Sequence, residues 1–184
     1  STVIKRDDGT FALDYNNPKT IGYIAPFYGN FGVILRAYVY IMMAGKDGLP
    51  RIAENAVLNA NYIKKKLEPY YDVAHEQVCK HECVFSAKRQ LKKGIHALDI
   101  AKGLLDAGYH PPTMYFPTIV KEALMIEPTE TESKETIDMF IEAMIMIAGT
   151  ADSDPKSLKS APKSTTVGRL DELKAARDLN IASL

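Results

Sequence analysis

The chain has little of what marks the specialised protein classes. Only two of its 184 residues are cysteine, too few for a disulfide scaffold. It has no excess charge of either sign, because 23 Lys and Arg balance 23 Asp and Glu. A nucleic-acid protein usually shows a basic excess or stripe, so the balance argues against that class. No uninterrupted apolar segment reaches the ~20 residues of a membrane span. Several catalytic signatures are also missing. There is no G-x-S-x-G and no H-E-x-x-H, since His81-Glu82 lacks a second histidine four residues on. An initiator methionine and a signal peptide are absent too. Ser1-Thr2-Val3 opens directly into strand-like residues, as expected if an N-terminal part of a longer polypeptide has been left off.

What is present is an ordinary globular composition, 46% hydrophobic and 25% charged. The length suits one domain of about 100–200 residues. Asp7-Asp8-Gly9 between two short runs predicts a hairpin over 3–5 and 10–13. An extended apolar piece follows at 21–28. Residues 31–44 are almost wholly apolar around a lone Arg36 and are read as a buried helix. Gly45-Lys46-Asp47-Gly48 stops it, and a second helix, with Pro50 in its first turn, runs to about Leu67. Strands are predicted at 71–75 and 79–87. A helix over 97–107 is expected, capped near His96 and closed by Gly108. Short extended pieces follow at 115–117 and 123–126. A longer helix, capped by Thr129 or Thr131, carries Ile137, Phe140, Ile141, Met144 and Ile147 on one face to about Ala148. Residues 151–168 have linker composition and precede a short helix at 169–179. The order implies an α+β fold: a small, mostly antiparallel sheet covered by helices, over 1–150, plus an extended tail over 151–184.

Four features can carry chemistry. His75, Cys79, His81 and Cys83 are ligand types that zinc favours, but residues 79, 81 and 83 on one strand face sit ~6.6 Å apart. They cannot converge on one ion unless the strand breaks, so no metal site is assigned. Gly29-Asn30-Phe31-Gly32 precedes a helix and suits either an anion or a tight turn. Arg36 suits either a substrate carboxylate or a structural acid. Gly108-Tyr109-His110-Pro111-Pro112-Thr113-Met114 stiffens a loop around a histidine, which fits acid–base chemistry or a plain structural turn.

Taken together, several runs resemble one family. They are Ala25-Pro26-Phe27-Tyr28-Gly29-Asn30-Phe31-Gly32, Arg36-Ala37-Tyr38, Ala56-Val57-Leu58-Asn59-Ala60-Asn61-Tyr62, His81-Glu82 and the 108–114 loop. Further runs are Met125-Ile126-Glu127-Pro128-Thr129-Glu130-Thr131-Glu132, Lys159-Ser160-Ala161-Pro162 and Arg169-Leu170-Asp171-Glu172. The pattern resembles the glycine cleavage system P-protein, glycine dehydrogenase (decarboxylating), in its two-subunit form, second subunit. That resemblance implies the small C-terminal domain of a fold-type I enzyme dependent on pyridoxal 5'-phosphate (PLP). The family's cofactor lysine follows a histidine and precedes a glycine-rich run, and neither is found here, so the chain alone is expected to be inactive.

The implied reaction releases carbon dioxide from glycine and passes the aminomethyl group to the lipoyl group of H-protein. The cofactor carries that chemistry. Implied partners are the large N-terminal domain, P-protein subunit 1 and lipoylated H-protein, with no nucleic acid and no membrane, in a cytoplasmic setting. The resemblance places His110 and Thr113 as catalytic residues. It puts Tyr28, Gly29, Asn30 and Arg36 at the cleft or a subunit interface, and gives His81, Glu127 and Thr129 supporting roles. The competing expectations are a stand-alone binding or regulatory module and a different fold-type I enzyme such as an aminotransferase.

Overall fold

The computed structural model describes residues 2–20, 22 and 29–178. The extended piece expected at 21–28, Tyr28 included, lies outside the described residues except for Gly22. Contacts divide the chain into two units, Ser1–Leu49 and Pro50–Leu184.

The first unit begins with the expected hairpin. Strands β1 (Thr2–Lys5) and β2 (Phe11–Asp14) pair antiparallel, with Val3 opposite Leu13. Asp8 organises the turn by accepting bonds from the amide and hydroxyl of Thr10 at 2.9 and 2.6 Å. Helix α1 (Phe31–Leu67) starts where the Asn30 side chain accepts from the Val33 amide at 3.2 Å. It is broken at Gly45, whose φ of 65° and ψ of −173° are not helical, so the stop read from the glycines is an interruption inside α1.

The apolar stretch is helical, but the expectation that it is buried is not met within this chain. Every residue from 31 to 43 is exposed. A helix apolar on all sides needs cover on all sides. Among the described residues, the first unit offers only a two-stranded hairpin.

The second unit is an α+β arrangement. After the C-terminal part of α1 come β3 (Asp72–Val73), β4 (Cys83–Ser86), α2 (Lys88–Leu91) and α3 (Ala97–Asp106). Then follow β5 (Thr113–Met114), β6 (Ala123–Ile126), α4 (Lys134–Ser153), α5 (Pro155–Lys159) and α6 (Glu172–Arg177). The strands form an antiparallel sheet in the order β3-β4-β6-β5. Side chains alternate across its faces. Cys83, Phe85, Leu124 and Ile126 turn into the core, and Val84 and Met125 on the other face are half-buried. Ile63 and Leu67 of α1, Ile100 and Leu104 of α3, and Ile137, Ile141, Met144 and Ile147 of α4 complete the core. Tyr71 is fully buried, and its hydroxyl donates to the Met144 carbonyl at 2.8 Å.

Several boundaries differ from expectation for local reasons. Residues 79–82 are a loop, because Asn61 of α1 draws the Cys79 backbone to itself. The extended piece expected at 115–117 is instead β5, since Tyr115 takes a positive φ of 58°. Helix α4 is capped by Ser133, which accepts from the Thr136 amide at 3.1 Å. The Thr129 and Thr131 hydroxyls instead bond each other at 2.7 Å. Linker composition is also misleading over its first half. Helix α4 runs to Ser153, α5 follows, and Leu158 and Ala161 are buried. Gly103 favours that packing, because a Cβ there would lie 3.1 Å from the Leu158 Cδ2 and the leucine would have to give way.

Beyond α5 the chain continues along α3. The Asp106 carboxylate accepts from the backbone amides of Lys163 and Ser164 at 2.6 and 2.7 Å. Arg169 reaches Asp99 at 2.8 Å. No helix among the described residues is long and apolar enough to cross a membrane.

If α5 belongs to the core, Leu158→Ala will lower unfolding stability by about 2–5 kcal/mol. Urea denaturation measures this; a change of about 0.5 kcal/mol or less would mean the segment is a free linker.

Candidate active site

The histidine loop is launched by α3. His96 is the N-cap of that helix, and Asp99 accepts from the His96 amide at 2.8 Å, forming a capping box. Glu122 supports the same end, accepting from the Ala97 amide at 2.7 Å and lying 3.0 Å from His96 Nδ1. At the other end Gly108 takes a φ of 83°, a left-handed position that a side chain would strain. The Gly108 and Tyr109 amides close the helix onto Leu105 and Leu104. Pro111 and Pro112 then stiffen the approach to β5, where Thr113 pairs with Met125. Tyr109 packs edge-on against Phe140 of α4, with ring centroids 5.4 Å apart.

This loop forms one wall of a cleft of about 500 Å³. His110 and Thr113 line it, both exposed, and Glu127 and Pro128 after β6 face it across the sheet edge. Ile63, Ile137 and Phe140 add apolar surface. The cleft has the dimensions and mostly apolar character of a small-molecule site.

The structure brings together three of the residues singled out from sequence: His110, Thr113 and Glu127. Thr129 does not line the cleft. Its carbonyl accepts from Asn59 Nδ2 at 3.0 Å, which ties the loop after β6 to α1. His81 stands behind the cleft, with Nε2 3.8 Å from Glu127 Oε1 and 3.8 Å from Glu82 Oε2. It lines a second cleft of about 350 Å³ that also contains Lys64, Cys79 and Cys83. Met125 contributes to both clefts. Gly29, Asn30 and Arg36 lie in the first unit, where Asn30 caps α1 and Arg36 is exposed on it. Tyr28 lies outside the described residues.

Sequence reasoning missed the asparagines that hold the loops. Asn61 donates to the carbonyls of Val57 and Cys79, both at 2.8 Å, and accepts from the Cys79 amide. The available signal was two amides, Asn59 and Asn61, within an otherwise apolar stretch of helix. Burial pushes the Cys83 thiol well up and that of Cys79 up to a lesser degree, so both stay protonated. No group of three or more His, Cys, Asp or Glu among the described residues is placed to hold a metal.

The family model described as "Glycine dehydrogenase, C-terminal domain" matches residues 52–164, more than half of the chain. The chain belongs to this glycine dehydrogenase family. It is 56% identical over 175 residues to a "Probable glycine dehydrogenase (decarboxylating) subunit 2" of Bacillus velezensis. Relatives of the same name from Shouchella clausii and Listeria monocytogenes are 58% and 57% identical. In each case the match covers 95% of this chain and 36% of the relative, so the chain spans about a third of their length.

Membership of the glycine dehydrogenase family implies PLP in the full enzyme. The cleft described above does not fit that group as its holder. A phosphate dianion needs cations or converging amide donors. The ionisable lining groups here are Tyr109, His110, Glu127 and Glu132, with no lysine or arginine, and Pro111, Pro112 and Pro128 have no amide hydrogen to offer. Mixing this chain with PLP and then borohydride is therefore expected to leave no lysine labelled stoichiometrically. Peptide mapping checks this, and one specifically labelled lysine would show that the chain holds the cofactor after all.

Proposed function

We propose that this chain works as the C-terminal domain of a glycine dehydrogenase (decarboxylating) of the subunit 2 type, the P-protein of glycine cleavage. In fold terms it is the small domain of a fold-type I PLP enzyme. The proposed overall reaction releases carbon dioxide from glycine and hands the aminomethyl group to the lipoyl group of H-protein, with subunit 1 completing the enzyme. The observation that carries this reading is identity of 55–58% to subunit 2 relatives across nearly the whole chain.

The cleft suggests what this domain contributes. His110 sits on a loop stiffened by two prolines, and we assign its imidazole to proton transfer. The Thr113 hydroxyl, at the start of β5, is assigned the task of orienting a polar substrate group. Glu127 lies 3.8 Å from His81, at the start of the loop that Asn59 anchors through the Thr129 carbonyl. The apolar lining of Ile63, Ile137 and Phe140 suits the aliphatic arm that carries the lipoyl ring. Gly29, Asn30 and Arg36, with Tyr28, are proposed to act at the edge shared with the rest of the enzyme.

The test joins this chain to the part of the Bacillus velezensis relative that it does not span, and adds subunit 1 and H-protein. Glycine-dependent exchange of carbon dioxide is expected from this chimera. His110→Ala should lower that exchange by about 10²–10⁴-fold without changing thermal stability. Transamination without exchange, or no exchange where the natural relative is active, would overturn the reading.

A further inference from the structure

The least satisfied part of the molecule is the N-terminal part of α1, residues 31–44. Phe31, Val33, Tyr38, Met42 and Met43 are between 60% and 83% exposed. Ile34, Leu35, Val39, Tyr40 and Ile41 are each about half exposed. At 100° per residue these side chains go right round the helix. Phe31, Leu35, Tyr38 and Met42 share one face, and Val33 and Tyr40 lie opposite. Ile34 and Ile41 take one flank, Val39 and Met43 the other. The single charge in the stretch, Arg36, has no ion-pair partner among the described residues, whose arginine pairs are those of Arg89 and Arg169.

The geometry narrows what covers this helix. A membrane surface takes a helix with one polar face, and this one has none. It is also not long and apolar enough to cross a bilayer. A second copy packed helix against helix would cover one stripe and leave the opposite face wet. A helix apolar on every side belongs in the interior of a larger body. Such a body is available in the relatives, of whose length this chain spans 36%.

We infer that residues 31–44 form a docking helix buried in the full-length subunit by the polypeptide that this chain does not span. The receiving surface is an apolar groove that wraps the helix and sets a carboxylate against Arg36. This rests on reading the chain as one domain of a subunit 2 protein. It adds which element joins that domain to the rest, and by what chemistry.

Methionine oxidation by dilute hydrogen peroxide tests the proposal directly, because susceptibility follows exposure. Met42 and Met43 are 64% and 83% exposed, and fully buried Met144 serves as the protected standard. In the isolated monomeric chain both should oxidise readily. In the chimera described above, their rates should fall about tenfold or more, toward that of Met144. Unchanged rates in the chimera would overturn the inference. So would protection already present in the isolated chain that grows with its concentration, since a second copy would then be the occupant. A chimera that exchanges glycine-derived carbon dioxide but leaves both methionines reactive keeps the functional reading and sinks this one. A chimera that buries them but shows no exchange does the reverse.

Discussion

The carboxylate of Asp99 is the constraint on which most of the second unit depends. Its side chain is 5% exposed, and a charge so placed must be paired. One oxygen accepts from the His96 amide and fixes where α3 begins. The other takes the Arg169 guanidinium at 2.8 Å. Arg169 in turn donates to the carbonyls of Ala161 and Leu158, so one buried charge ties the start of α3 to the strand of tail that passes over it. Removing one partner of such a pair leaves an uncompensated charge, which costs about 3–5 kcal/mol.

That anchoring passes to the cleft along a short path. Once α3 is fixed at His96, its length decides where Gly108 turns, and the two prolines carry His110 to the sheet edge. The opposite wall is held by Asn59 on the Thr129 carbonyl, and the packing of Phe140 on Tyr109 ties the two walls to each other. The cleft is thus braced both at its walls and between them. The sheet contributes through alternation. Because Phe85 and Leu124 face the core, Val84 and Met125 must face the other way, and Met125 becomes the partition between the two clefts.

Much of this was legible in the residues. The Asp-Gly hairpin, the break at Gly45, the His96 cap, the Gly108 terminus and the strand at Ala123–Ile126 all rest on local chemistry that a sequence displays. The core face of α4 followed from helical spacing. What misled was context. The apolar stretch at 31–44 implies burial, but a sequence does not say which polypeptide provides it. Lys, Ser and Pro at 154–160 read as linker, yet Leu158 is buried from a five-residue helix and packs beside Gly103. Of the site residues, His110, Thr113 and Glu127 share a cleft that sequence could suggest only through resemblance. Asn59 and Asn61 act through backbone carbonyls distant in sequence, which no motif reveals.

The tail's attachments also have a mechanical meaning. They are arranged in series along the chain: Arg169 on Asp99, then Ser164 and Lys163 on Asp106, then Leu158 and Ala161 in the core. A pull on the C-terminus therefore loads them one at a time, as a zipper, and each polar clasp yields before the next is strained. Strands loaded in parallel would share the force; this strap cannot. The domain can thus give up length from its C-terminal end under tension before the buried contacts of Leu158 and Ala161 are loaded.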